Sequence, residues 1–184
     1  MLNKDMTIPE IEQELNQHSD FLKIDILTKF TNDILPNDLK IFLYKKLMEI
    51  YKDNKMPLEA AKIAKNIAML SDSYKDKEKY HIAEAELYII AGTFEKVNQA
   101  MKNAMVNANA TERDNIVYTI KEFYKIQATI YERELKRRKA SEIYEKLLEM
   151  NLLPSERQYI KEKLLELYDK LGKTKEYFVL KKSE

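Results

Sequence analysis

A tyrosine returns at Tyr51, Tyr88, Tyr131 and Tyr168, at intervals of 37, 43 and 37 residues, each time inside the same pattern of small and large side chains. Three residues before it stand Met48, Ala85, Ala128 and Leu165. Nine residues after it stand Ala60, Val97, Ala140 and Tyr177, and thirteen after it stand Ala64, Met101, Tyr144 and Lys181. A unit of about 20–50 residues is too short to bury its own apolar face, so self-similarity at this period predicts units stacked on one another. Four residues beyond each tyrosine, where the first helix of the unit has to stop, stand Lys55, Gly92, Leu135 and Gly172. Only the two glycines suit a left-handed helix stop, so the second and fourth turns are expected to be the best defined.

The rest of the chain agrees with stacked helices. Two glycines and four prolines leave few breaks, and 34% charged residues suit long solvated helix faces. At 184 residues the chain is long enough to bury a continuous core without staples. Lys and Arg number 32 against 31 Asp and Glu, a balance that argues against a dedicated polyanion binder. The sequence has no cysteine, which excludes disulfides and thiolate metal sites and fits a reducing compartment. The longest apolar run, Leu87 to Ala91, is far short of the ~20 residues that span a bilayer. Lys4, Asp5 and Glu10 interrupt any secretory signal, so a cytoplasmic location is the expectation.

Capping chemistry places the helix boundaries. Thr7, Pro9 and Glu10 read as a capping box, and Ser19 or Asp20 opens a second helix running to about Ile34. Pro36, Asn37 and Asp38 stop that helix and cap the next. Pro57 suits a first helical turn, Thr93 caps the helix after Gly92, and Ser155 with Gln158 repeats the capping-box spacing. The segment from Thr111 to about Leu135 lacks glycine and proline and predicts one helix of ~24 residues. The sum is an all-α chain of about ten helices. Residues 1–35 lack the tyrosine pattern and read as a helical hairpin capping the stack, with an interaction helix donated to another subunit as the functional reading. Residues 36–184 read as four repeats, the last truncated, within a single structural domain.

The inventory of reactive groups predicts neither catalysis nor a cofactor or metal. The two histidines, His18 and His81, fall in different units. His81 and Glu84 share a helix face at ligand spacing, but a second matching pair is missing, and His81 takes a place held elsewhere by Tyr44, Tyr124 and Lys161. It reads as a flat packing residue. Gly92 and Gly172 are isolated, whereas a phosphate cradle needs clustered glycines.

The repeat resembles the tetratricopeptide family, whose unit is an antiparallel helix pair with small residues at the crossing. The clearest copy places Ala85, Tyr88, Gly92, Phe94, Val97, Met101 and Ala104 on signature positions. The first supplies Tyr44, Leu47, Tyr51, Ala60, Ala64 and Ala68, and the third Tyr124, Ala128, Tyr131, Ala140, Tyr144, Leu147 and Pro154. The fourth keeps Leu164, Tyr168 and Gly172 but departs at Tyr177 and Lys181. Related arrays in vesicle-fusion adaptors and proteasome-lid subunits share the pattern. The resemblance covers residues 41–184 and implies a right-handed α-solenoid that acts as a scaffold or adaptor.

It also implies a concave groove made by the first helix of each pair. Aligned to this sequence, the groove positions that would hold a partner's peptide or amphipathic helix are Phe42, Lys45, Lys79, Ile82, Glu86, Ile89, Ile90, Lys125 and Tyr159. Ile82, Ile89 and Ile90 are apolar on a face expected to meet water, or else belong to the core one residue out of register. Some relatives clamp a chaperone's C-terminal carboxylate with lysine and asparagine. Here Lys45 is followed by Glu49 and Lys125 by Thr129, so no such binding is expected. The alternative is nucleic-acid association through the basic cluster Arg133, Lys136, Arg137, Arg138 and Lys139, which otherwise reads as a solvated turn balanced by Glu132, Glu134 and Glu142. A third reading fills the groove with the chain's own N-terminal helix.

Overall fold

The computed structural model describes residues 2–182, and within them every regular element is a helix. There are ten: α1 (Ile8–Leu15), α2 (Asp20–Thr31), α3 (Asn37–Asp53), α4 (Pro57–Leu70), α5 (Tyr74–Ala91), α6 (Phe94–Ala104), α7 (Ala110–Arg133), α8 (Arg137–Leu148), α9 (Pro154–Leu171) and α10 (Thr174–Lys182). The described residues pack as two compact units, one up to Arg113 and one from Asp114, dividing in the first turn of α7.

Helix starts follow the polar groups available to the free N–H donors of the first turn. Glu10 carries out the expected capping at α1, its Oε2 accepting from the Thr7 N–H and hydroxyl at 2.7 Å each. Pro57 opens α4 as expected. At α9 the cap is shifted from the expected residue. The helix begins at Pro154, and it is the Glu156 carboxylate, not Ser155, that accepts from the Leu153 N–H at 2.9 Å. Two caps went unread in the sequence. Ser73 Oγ accepts from the Asp76 N–H at 3.1 Å, and Asn109 and Glu112 bond reciprocally at 2.8 and 3.0 Å to open α7. Once opened, α7 runs the expected 24 residues. α2 ends at Thr31, three residues before the predicted Ile34, whose side chain is fully exposed and gains nothing from a further turn.

The helix stops repeat more faithfully than the residues that make them. Lys55, Gly92, Leu135 and Gly172 all take positive φ, between 56° and 73°. The next residue donates its N–H back to the tyrosine carbonyl each time, from Met56 to Tyr51 at 2.8 Å, Thr93 to Tyr88 at 2.9 Å, Lys136 to Tyr131 at 2.8 Å and Lys173 to Tyr168 at 2.9 Å. A second bond, at 3.0–3.1 Å, runs from the N–H of each left-handed residue to the carbonyl of the residue after the tyrosine. This is the two-bond Schellman stop. The expectation that only the glycine turns would be well defined is corrected: Lys55 and Leu135 adopt the same geometry, because two recovered hydrogen bonds offset a left-handed penalty of roughly 1–2 kcal/mol.

In the first unit each helix from α2 to α6 packs on the next. Ala60, Ala61, Ala64 and Ala68 are buried on α4, and side chains this small let its neighbours approach closely. One apolar cluster joins Ile11 and Leu15 of α1, Leu27 and Phe30 of α2, Leu43 and Leu47 of α3, Ile63 and Ile67 of α4 and Tyr80 of α5. Residues 1–35 therefore share a core with α3. Lys46 of α3 pairs with Glu12 of α1 at 2.7 Å, and Asn54 donates to Asp20 at 3.2 Å. In the second unit α9 packs on both α8 and α10, around a core of Ile143, Tyr144, Leu147, Ile160, Leu164 and Leu167.

Candidate functional site

Two of the expected groove residues come together in the second unit. Lys125 and Thr129 lie one turn apart on α7, Ser155, Glu156, Tyr159 and Ile160 lie on the first two turns of α9, and Tyr144 comes from α8. These seven line a cleft of about 370 Å³. Helical spacing explains the grouping, since residues four apart on α7 and three or four apart on α9 share a face. Tyr159 is half exposed at the rim, Ile160 is buried, and Tyr144 is 2% exposed.

A lattice of ion pairs ties the two sides of this cleft. Lys125 Nζ donates at 2.8 Å to both Glu122 and Glu156, Lys121 reaches the other oxygen of Glu156 at 3.4 Å, and Lys163 of α9 pairs with Glu132 of α7 at 3.4 Å. Burial works to depress the Lys125 ammonium, but its bonds to Glu122 and Glu156 outweigh it and hold the group above the ordinary lysine range. The Lys125 hydrogen bond, followed by the Leu153 N–H, pulls the Glu156 carboxyl down to about 2. Burial first, then the Glu132 charge, pushes the Tyr144 phenol far above its usual range. Lys125 is thus already shared by two carboxylates, and what the cleft offers a ligand is the exposed ring of Tyr159 and the hydroxyls of Thr129 and Ser155.

In the first unit the expected groove residues are spread over different surroundings. Lys45 of α3 and Lys79 of α5 are exposed and both approach the same buried ring, at 5.8 and 5.5 Å from the Tyr80 centroid. Phe42, Ile82 and Glu86 are half-buried, and Phe42 packs on the apolar cluster beneath. Ile90 is 39% exposed. Ile89 corrects the alignment: it is fully buried and is not available to a partner. Both α4 and α6 pack on α5, which buries residues on more than one side, and an isoleucine there gains about 1.5–3 kcal/mol by joining the core.

A second cleft in this unit, about 570 Å³, was not read in the sequence. Tyr74, Lys75, Lys77, Glu78 and His81 of α5 line it opposite Val106, Asn107 and Ala108 of the segment after α6. Exposed apolar side chains at Tyr74 and Val106 are its only sequence signal. At its edge His81 Nδ1 lies 2.8 Å from Glu84 Oε2, and both side chains are largely buried. His81 is therefore a hydrogen-bonding partner of a buried carboxyl as well as a packing residue. Among the described residues no group of three or more His, Asp or Glu is placed to hold a metal ion, and no helix is long and apolar enough to cross a membrane.

The basic cluster flanks the third helix stop. Arg133, Lys136, Arg137, Arg138 and Lys139 are all exposed. Lys136 pairs with Glu134 at 2.7 Å and Arg138 with Glu142 at 3.5 Å, while Lys136 and Lys139 lie 5.8 and 5.6 Å from the Tyr131 ring centroid. Glu132, expected to balance this cluster, turns instead to Lys163. No protein-family model, curated protein or solved structure matches this chain.

Proposed function

We propose that the chain is a tetratricopeptide-like α-solenoid that works as a protein-binding scaffold, holding a short segment of a partner in grooves between the first helices of successive repeats. Four Schellman stops built on the repeat tyrosines support the repeat, because a stop at the same place in each unit turns each pair of helices in the same way. The observation that carries the binding site is the cleft where Lys125 and Tyr159, both at positions the repeat alignment assigns to the groove, meet beside Thr129 over Tyr144. A half-exposed tyrosine beside a buried apolar floor is the kind of anchor that holds a partner side chain, with the ion-paired rim setting register. The mechanism is equilibrium binding without turnover, in the cytoplasm.

Affinity capture from the native extract, run in parallel with a Tyr159→Asp variant confirmed to stay helical, tests this reading. Proteins retained by the chain and lost from the variant support it. Capture that is unchanged, or that consists of nuclease-sensitive material lost on Arg137→Glu and Arg138→Glu, sinks it and moves function to the basic turn. Salt separates the same two outcomes, since phosphate binding weakens steeply with salt and an apolar anchor does not.

A further inference from the structure

Among the ten helices only α10 buries none of its residues. The corresponding helices α4, α6 and α8 each bury several residues. Ten residues past the repeat tyrosine, Ala61 and Ser141 are fully buried and the polar Asn98 is exposed, where the apolar Phe178 is 54% exposed, and twelve past it Ile63, Ala100 and Ile143 are buried where Leu180 is only partly so. One residue earlier than Leu180, where the other copies carry Lys62, Gln99 and Glu142, stands Val179, 70% exposed. Tyr177, Phe178, Val179 and Leu180 follow one another, so apolar side chains extend beyond the one face that packs on α9.

A matching surplus lies at the other end of the chain. Phe21 and Leu22 of α2 and Ile8 of α1 are exposed, on helices whose other faces are in the core. The charges are opposite. α10 carries Lys175, Lys181 and Lys182 against Glu176 alone, whereas α1 carries Glu10, Glu12 and Glu14 and no cation, and on α2 Lys23 and Lys29 are matched by Asp20 and Asp25. Glu10 already bonds Thr7, Glu12 meets Lys46 and Glu14 lies 3.7 Å from His18, so the excess of negative charge over the two helices is three.

We propose that α10 of one chain docks on the α1–α2 surface of a second copy, a head-to-tail contact independent of the groove reading. Each chain offers one face of each kind, so the contact joins unlike faces, and copies associate by exchanging them reciprocally in a pair or by passing them on in a ring or a filament. The apolar side chains supply the adhesion, and the lysines opposite the glutamates fix the direction.

Sedimentation of the full chain over a wide concentration range at low salt tests this. The expected result is a weight-average mass that at least doubles with concentration, while Phe178→Asp and Phe21→Asp each remain monomeric. Mixed in equal amounts, these two variants are expected to form a dimer and nothing larger, because each retains the one face the other needs. Both substituted residues are exposed, so far-ultraviolet circular dichroism should match the intact chain. If either variant loses helicity, Val179→Asp and Leu22→Asp repeat the pairing. An intact chain that stays monomeric overturns the proposal. So does association that survives Phe21→Asp, which would mean that like faces pair, or a mixture of variants that yields no dimer.

Discussion

α5 and α9 have the same length and the same ending. Each runs 18 residues, carries its repeat tyrosine three residues before the end and stops on a left-handed glycine. Four residues before the tyrosine they part. α9 places Leu164 there and α5 places Glu84, at 0% and 3% exposure. Leu164 packs with no further requirement, whereas Glu84 needs companions one turn to either side. His81 lies 2.8 Å away on the preceding turn, and burial together with Glu84 raises the Tyr88 phenol above its usual range on the following one. α7 repeats the device with Gln127, also buried, against Tyr131. A repeat position therefore dictates how deep a side chain lies, and its neighbours at three and four residues dictate what chemistry that depth tolerates.

The sharpest way to break this comparison is to remove one companion. His81→Ala leaves the Glu84 carboxyl buried without its closest partner and is expected to cost about 2–3 kcal/mol in urea denaturation. The double variant His81→Tyr, Glu84→Leu, which copies Tyr44 and Leu47 of α3, is expected to return within about 1 kcal/mol of the parent. A single variant no worse than the double would show that the pair holds nothing.

The two helices also differ in their first turns. Twelve residues before the tyrosine stand Asp76 and Glu156; Asp76 bonds with Ser73, whereas Glu156 meets two lysines of α7. The Glu156 carboxyl lies at about 2 in the fold, below an ordinary 4.5, so its contribution is fully present above pH 4.5 and disappears as pH falls toward 2. Glu156→Gln is expected to destabilise by about 1–2 kcal/mol at pH 7, reduced from the full shift because water reaches the site. The difference from the parent should close during acid titration over that window, and a constant offset would contradict it. Asp76→Asn, which retains a capping side chain, is expected to change stability by less than ~0.5 kcal/mol at pH 7.

The turns supply the smallest effects. At Gly92 and Gly172 an added Cβ meets no atom within 4 Å, so Gly92→Ala tests conformation without a clash and should cost about 1 kcal/mol. The reverse change, Leu135→Gly, removes an exposed side chain and a left-handed penalty, and its expected gain of about 0.5 kcal/mol is reduced by the chain entropy glycine adds when unfolded. Thermal unfolding of the three proteins side by side orders them.

Much of the fold was legible because the repeat marks backbone as well as side chains. Tyr51, Tyr88, Tyr131 and Tyr168 locate four stops correctly, and the absence of breakers from Thr111 onward gave the length of α7. Residue type misled at Lys55 and Leu135, since propensity weighs the side chain and not the two hydrogen bonds the turn recovers. The cleft at Lys125, Thr129 and Tyr159 follows from register alone. Ile89 does not, because its counterparts Lys52 and Asp169 are exposed and only packing from two sides distinguishes α5. The cleft at Tyr74 and Val106 depends on the path of a connecting segment that no repeat position describes.

The four stops also set a rule of exclusion. Met56, Thr93, Lys136 and Lys173 each lend a backbone hydrogen to a tyrosine carbonyl, a service that every amino acid but proline can perform. The left-handed place itself accepts lysine, leucine and glycine here. Among the four copies in this chain the turn therefore persists without its glycine, and the one substitution it forbids is proline at the place that follows.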